Sequence, residues 1–212
     1  FGNRNAFYYV LDRETGEFLE ATSFAKQTWA KRIDKNGRPV RRPGMFPSEE
    51  GVLVFPDVSG AANWYSPTYS PRTGLFYLMA FDGGATYYIA KEPEYVKGLP
   101  YMGGTATANE FDDFVNPDYV SAVRALDATT GKKVWEHVVV AKSTSGLLST
   151  EGNLVFGGTK KGSFFALDAT TGQELWRFDT GGWVHAAPIT YEAEGEQAVT
   201  IATGSALVTF GL

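Results

Sequence analysis

An all-β fold is what this 212-residue sequence predicts, and three observations carry the prediction. The segment Ala125-Leu126-Asp127-Ala128-Thr129-Thr130-Gly131-Lys132-Lys133-Val134-Trp135 recurs as Ala166-Leu167-Asp168-Ala169-Thr170-Thr171-Gly172-Gln173-Glu174-Leu175-Trp176, an offset of 41 residues. Aromatics are frequent, with 15 Phe, 11 Tyr and 5 Trp, and 24 Gly accompany them, a mixture that suits short strands joined by tight turns. No stretch carries a convincing amphipathic helical period; the apolar runs are short or alternate. A period near 41 with four short strands per unit is the spacing of propeller blades, in which each sheet buries its faces against the next. The length then holds about four four-stranded antiparallel blades, a partial propeller over residues 1–212.

Each element follows in order. Phe7 to Leu11 reads as a strand, and Val10 to Glu20 is a weaker copy of the repeat that keeps Leu11, Asp12, Thr15 and Gly16 but lacks the Trp. In every copy the Asp is placed to bond the backbone that follows it, and the Gly supplies a positive φ. Residues 23–56 hold seven cations, from Lys26 to Arg42, with Pro39, Pro43, Pro47 and Pro56, and read as a long basic loop. Tyr69 to Tyr77 shares only the Thr-Gly turn, and residues 82–116 read as a second long loop. Strands follow at Ser121 to Asp127, Lys133 to Val140, Leu147 to Ser149, Leu154 to Gly157, Ser163 to Asp168 and Glu174 to Asp179. Ala187 to Tyr191, Gln197 to Thr203 and Ala206 to Phe210 complete the set.

Composition excludes several classes. With no Cys there is neither a disulfide scaffold nor a Cys-ligated zinc site, and 19 Lys+Arg against 24 Asp+Glu gives no nucleic-acid footprint. No apolar run is long enough to span a bilayer as a helix. The chain opens on Phe1 without the pattern of a signal peptide and so reads as truncated or processed. There is no Gly-x-Ser-x-Gly elbow, so a hydrolase triad is not expected. His137 reads as a structural strand residue, and His185, in Gly-Gly-Trp-Val-His, is the better candidate for a pocket. Glu110, Asp112 and Asp113 lack the alternation of a calcium loop, and the Gly pairs at 83–84 and 181–182 lack a Walker lysine.

The remaining candidates are polar residues in aromatic settings: Arg4 before the first strand, and Asn63 with Trp64. A guanidinium, an amide and an indole face are what a planar, anionic heteroaromatic ligand needs. Each also has a plain structural reading, Arg4 as a surface cation, Asn63 as a turn former and Trp64 as core.

Taken together these residues resemble the pyrroloquinoline quinone (PQQ) dependent alcohol dehydrogenases of the methanol/ethanol dehydrogenase family. The two paired repeats are similar to the tryptophan-docking motif of that eight-bladed propeller. Asn3-Arg4-Asn5-Ala6-Phe7-Tyr8-Tyr9-Val10-Leu11-Asp12-Arg13 resembles a characteristic strand of it, and Pro188-Ile189-Thr190-Tyr191 its last-blade signature. The resemblance implies the C-terminal half of a periplasmic enzyme that oxidises primary alcohols to aldehydes with PQQ and calcium and passes electrons to a cytochrome c. It implies that Arg4 contacts the quinone oxygens and that Asn63, with Trp64, contacts its edge, whereas the catalytic Asp and the metal ligands lie upstream. No catalytic or metal-ligating residue is then expected in this chain, which would be inactive alone and would pair with its missing half or with itself. Family tryptophans have no counterpart in Ser143-Thr144-Ser145-Gly146 or in Ala202 to Ala206, and Trp183 matches neither place. The rival readings are a non-catalytic propeller scaffold of the outer-membrane assembly type and a PQQ-dependent sugar dehydrogenase.

Overall fold

A computed structural model describes residues 1–92, 94–108, 120–139 and 143–211, and among them every regular element is a strand. In chain order these are β1 (Phe7–Leu11), β2 (Phe18–Ser23), β3 (Ala30–Ile33), β4 (Pro39–Arg41), β5 (Val52–Val54), β6 (Thr68–Ser70), β7 (Leu75–Asp82), β8 (Ala85–Ile89) and β9 (Gly104–Ala108). They continue as β10 (Val120–Asp127), β11 (Lys133–Val139), β12 (Leu148–Ser149), β13 (Leu154–Gly158), β14 (Ser163–Asp168), β15 (Glu174–Asp179), β16 (Ile189–Ala193), β17 (Glu196–Thr203) and β18 (Ala206–Gly211).

Two complete four-stranded sheets, β6-β7-β10-β11 and β12-β13-β14-β15, stand between a three-stranded sheet β16-β17-β18 and a two-stranded sheet β1-β2. All neighbours in them are antiparallel. The two stretches expected to be long loops are partly strand: residues 23–56 carry the β3-β4 hairpin and β5, which joins β8 and β9 from the second stretch in a three-stranded sheet. These strands are short and Pro- or charge-flanked, and β5 pairs with β8 across more than 30 residues, so no local pattern announces them. The acidic cluster Glu110, Asp112 and Asp113 lies outside the described residues.

The repeat is one physical device used three times. Asp12, Asp127 and Asp168 each accept, through one carboxylate oxygen, the backbone N–H two residues on, the N–H three residues on and the hydroxyl of the Thr at that third place. Gly16, Gly131 and Gly172 follow at φ +74, +69 and +74, where a Cβ would be strained. Each turn carries the chain back into β2, β11 or β15.

The core lies between the sheets. Tyr77, Phe81, Val123, Phe165 and Leu167 form one buried cluster between the two four-stranded sheets, and each such side chain contributes about 1.5–3 kcal/mol by leaving water. Trp135 closes that interface, its Nε1–H donating to Ala169 O at 3.0 Å, and the Tyr77 hydroxyl donates to the same oxygen at 2.9 Å. One interface earlier, Tyr8 does the same to Ala128 O at 3.0 Å.

Because neighbouring strands alternate in direction, the connectors alternate between two ends of the fold. The Asp-Thr-Gly turns occupy one end. Residues 1–6, the long 24–67 connector, 143–147 and 180–188 occupy the other, where Leu147 N bonds Ser66 O and Val184 N bonds Thr159 O.

Candidate functional site

Arg4 sits at the tip of a turn that its neighbours fasten. Asn3 Oδ1 accepts from Asn5 N and Asn5 Oδ1 from Phe7 N, each at 3.1 Å, while Asn5 Nδ2 donates to the Tyr9 hydroxyl at 2.9 Å. Ala6 then enters β1 at φ +74, a conformation that costs a non-Gly residue about 1–2 kcal/mol and that this bonding offsets. The result holds the Arg4 backbone while its side chain stays exposed.

A second turn meets it. Asp57 Oδ1 accepts from Ser59 N at 2.8 Å, and Gly60, at φ +83, has no room for a side chain because a Cβ there would lie 2.8 Å from Arg4 Cβ. Arg4 Nη2 donates to Val58 O, and Ala61 N donates to Arg4 O at 2.9 Å. Sequence-distant residues 4 and 58–61 are thereby locked together.

Asn63 and Trp64 extend this wall. Asn63 Nδ2 donates to Ser59 O at 2.8 Å and its Oδ1 accepts from Trp64 N at 2.9 Å, so the amide is first a clamp of its own turn, with one N–H left over. Trp64 is 69% exposed and is not core; Tyr65, tilted against it with ring centroids 4.8 Å apart and edge-on to Phe81, packs partly buried against the core instead. The three residues predicted from sequence therefore lie in one connected stretch at one end of the fold.

Sequence reasoning missed the phenols behind the wall. Burial pushes the Tyr65 hydroxyl up, the Arg4 charge pulls it back and Asp57 adds to the rise; Tyr87 is raised by burial and Asp57 and pulled back by Arg4. Both phenols stay neutral donors near a guanidinium and a carboxylate. Only the spacing of Tyr65 after Asn63-Trp64 could have flagged them, and Tyr87 not even by that.

The connector at 143–147 forms a second wall at the same end. Ser143 and Ser145 are fully buried: Ser143 Oγ donates to Gly158 O, and Ser145 Oγ donates to Ala186 O at 2.9 Å while accepting from Gly158 N. Thr144 points the other way, its hydroxyl 2.6 Å from His185 Nδ1, and the His185 ring lies 3.8 Å from Trp183. His185 thus belongs to this end, beside Ser143-Thr144-Ser145-Gly146. His137 does not: it sits on β11, its Nε2 3.5 Å from Glu174, with burial lowering its pKa. Among the described residues no three His, Asp or Glu side chains converge on a metal position.

The sequence of quinoprotein alcohol dehydrogenase PedH of Pseudomonas putida is 40% identical over 210 residues, covering 95% of this chain and 34% of its own length. The structure of quinohemoprotein alcohol dehydrogenase ADHIIG of Pseudomonas putida HK5 superposes with a TM-score of 0.87 at 32% identity over 97% of this chain and 32% of its own. The chain is homologous to part of the quinoprotein alcohol dehydrogenases. A europium-containing methanol dehydrogenase matches with a TM-score of 0.84 at 35% identity over 94% of this chain and 35% of its own. The chain spans about a third of the length of these quinoproteins. A family model described as outer membrane protein assembly factor BamB matches residues 120–209, the part that contains both complete docking repeats. The β-propeller reading of the fold is thereby established, as sheets of a quinoprotein dehydrogenase propeller.

Proposed function

We propose that this chain supplies the C-terminal blades of a periplasmic PQQ-dependent alcohol dehydrogenase that oxidises primary alcohols to aldehydes and delivers the electrons to a cytochrome. The observation that supports it is the lock between the Arg4 turn and the 57–65 turn, which sets a guanidinium, an amide N–H and an exposed indole in one stretch. This donor set fits one edge of a planar, anionic quinone: N–H groups for its oxygens and a flat apolar surface for its ring. When bound, the quinone with its metal accepts the two electrons of the alcohol. The chain's own part is electrostatic and positional: Arg4 favours negative charge developing on the cofactor, Asn63 fixes the backbone that carries Trp64, and neutral Tyr65 backs the wall.

Calcium is the metal proposed, held by residues outside this chain; one relative is named for europium, so the identity of the ion is part of the test. In the full-length protein, Arg4→Ala is expected to lower alcohol-dependent dye reduction about 10²–10³-fold and weaken quinone binding seen by absorbance, with Arg4→Lys retaining most of both. Equal activity of Arg4→Ala and wild type would overturn the reading, and a preference for aldoses over alcohols would move it to the sugar dehydrogenases. The isolated chain, given PQQ and calcium, is expected to show no alcohol-dependent dye reduction.

A further inference from the structure

We propose that the β3-β4 hairpin is the docking surface for an acidic electron-acceptor protein, an inference that rests on the dehydrogenase reading above. The chain as a whole is acidic, at −5, yet residues 26–42 hold seven of its 19 cations, Lys26, Lys31, Arg32, Lys35, Arg38, Arg41 and Arg42, against one acid, Asp34. The other residues carry 12 cations and 23 acids. All seven cations are exposed, and among the described residues none forms an ion pair with a carboxylate.

The charge is laid on a built surface. The hairpin forms a sheet of its own, separate from the blades. Beside it lies a cleft of about 210 Å³ lined by Trp29, Arg41, Arg42, Met45 and Phe46, with the Arg41 guanidinium 5.4 Å from the Phe46 ring and Phe46 more than half exposed. Arg, Trp, Met and Phe are the residue types enriched where proteins meet.

Its position gives the partner a reason to bind there. Trp29 Nε1–H donates to Asn5 O at 3.0 Å, and its ring is edge-on to Phe7 at 5.9 Å, so the hairpin is moored to the residue next to Arg4. A protein seated on it stands beside the proposed cofactor wall. Oxidation of one alcohol releases two electrons and two protons; two oxidised haem-protein molecules, each docking in turn, take one electron apiece, and the protons leave to solvent. The net negative charge of the rest of the chain disfavours an extended polyanion, and the concentrated basic charge of residues 26–42 steers a compact acidic patch onto it.

The test uses the full-length enzyme and its Lys31→Glu/Lys35→Glu/Arg41→Glu variant, with a neutral variant carrying Gln at the same places. The probes are a basic mitochondrial-type cytochrome c and the same protein with its lysines succinylated, which inverts its charge. Binding is read by interferometry, with alcohol-dependent dye reduction measured in parallel. The expected result is that wild type binds the succinylated form about tenfold or more tightly at low salt, that salt erodes this, that Gln gives an intermediate loss and that Glu reverses the preference while dye reduction stays unchanged. Unaltered binding in the Glu variant, or binding of anionic lipid vesicles with no preference for the succinylated protein, overturns the proposal. Loss of dye reduction in wild type would count against the dehydrogenase reading and leaves the binding comparison readable.

Discussion

Trp135 is 9% exposed and donates to Ala169 O, whereas Trp176, at the same place in the second copy of the motif, is 38% exposed and lines a cleft of about 400 Å³ with Leu154, Phe156, Phe164 and Phe210. The motif is nearly identical in the two copies, so sequence alone does not decide the outcome. What decides it is the receiving turn: the Ala169–Gly172 turn comes up under Trp135, and Gly172 leaves the ring room that a Cβ, 2.5 Å from it, would take. Trp176 meets Phe210 of β18 edge-on at 4.9 Å and, among the described residues, no turn of that kind. A docking motif is half a joint, completed by the next sheet.

The largest expected effect separates the two tryptophans directly. Trp135→Ala should destabilise the chain by about 3–5 kcal/mol, since a buried ring and a satisfied hydrogen bond are both lost, and Trp176→Ala by about 1–2 kcal/mol. Urea unfolding of both variants checks this, and equal losses would break the comparison. The glycines come next. Gly172→Ala combines a positive φ with a collision against Trp135 and should cost about 2–4 kcal/mol, while Gly181→Ala, at φ +71 with open space around it, should cost about 1 kcal/mol. If the two glycines cost the same, the fit of the turn under Trp135 is not what matters.

The smallest effect is on acid stability. The three hydrogen bonds to Asp127 hold its carboxyl below its ordinary value; for Asp168, removal from water pushes the carboxyl up, and the hydrogen bonds from Thr171, Thr170 and Asn153 together outweigh it and hold the carboxyl below its ordinary value. A carboxyl depressed in the folded chain stabilises it fully above the unfolded value, about pH 3.9, and loses that contribution as pH falls through the folded value. Unfolding midpoints followed from about pH 6 to pH 2 should therefore fall less steeply in Asp127→Asn/Asp168→Asn than in wild type. A parallel fall would remove the turns from the account.

Much of this was legible because the signals are local. The strands at 7–11, 163–168 and 174–179 stand where alternation placed them, and the weak copy at Asp12 forms the same turn as its two stronger relatives because Asp, Thr and Gly suffice for it. The inserted β3, β4, β5, β8 and β9 escaped because three to five residues flanked by Pro and charge look like loop until a distant partner supplies the ladder. At the site, Arg4, Asn63 and Trp64 could be picked by residue type. That Asn63 spends most of its amide on its own turn, and that Tyr65 rather than Trp64 packs against the core, depended on which way one connector turned. The Arg124 guanidinium is a similar case: it lies buried in β10 and bonds Asp82, Glu136 and Phe24 O, a network joining parts of the chain 100 residues apart that no spacing rule could reveal.

The joint at Ala169 has an evolutionary consequence. The atom that receives both Trp135 and Tyr77 is a main-chain oxygen, and the one that receives Tyr8 is another, at Ala128. Any amino acid provides that oxygen. Adjacent blades can therefore drift apart in nearly every side chain, and a gene can duplicate or trade blades, without losing the fit between neighbours, provided the turn keeps its glycine and the incoming strand keeps one donor on a ring.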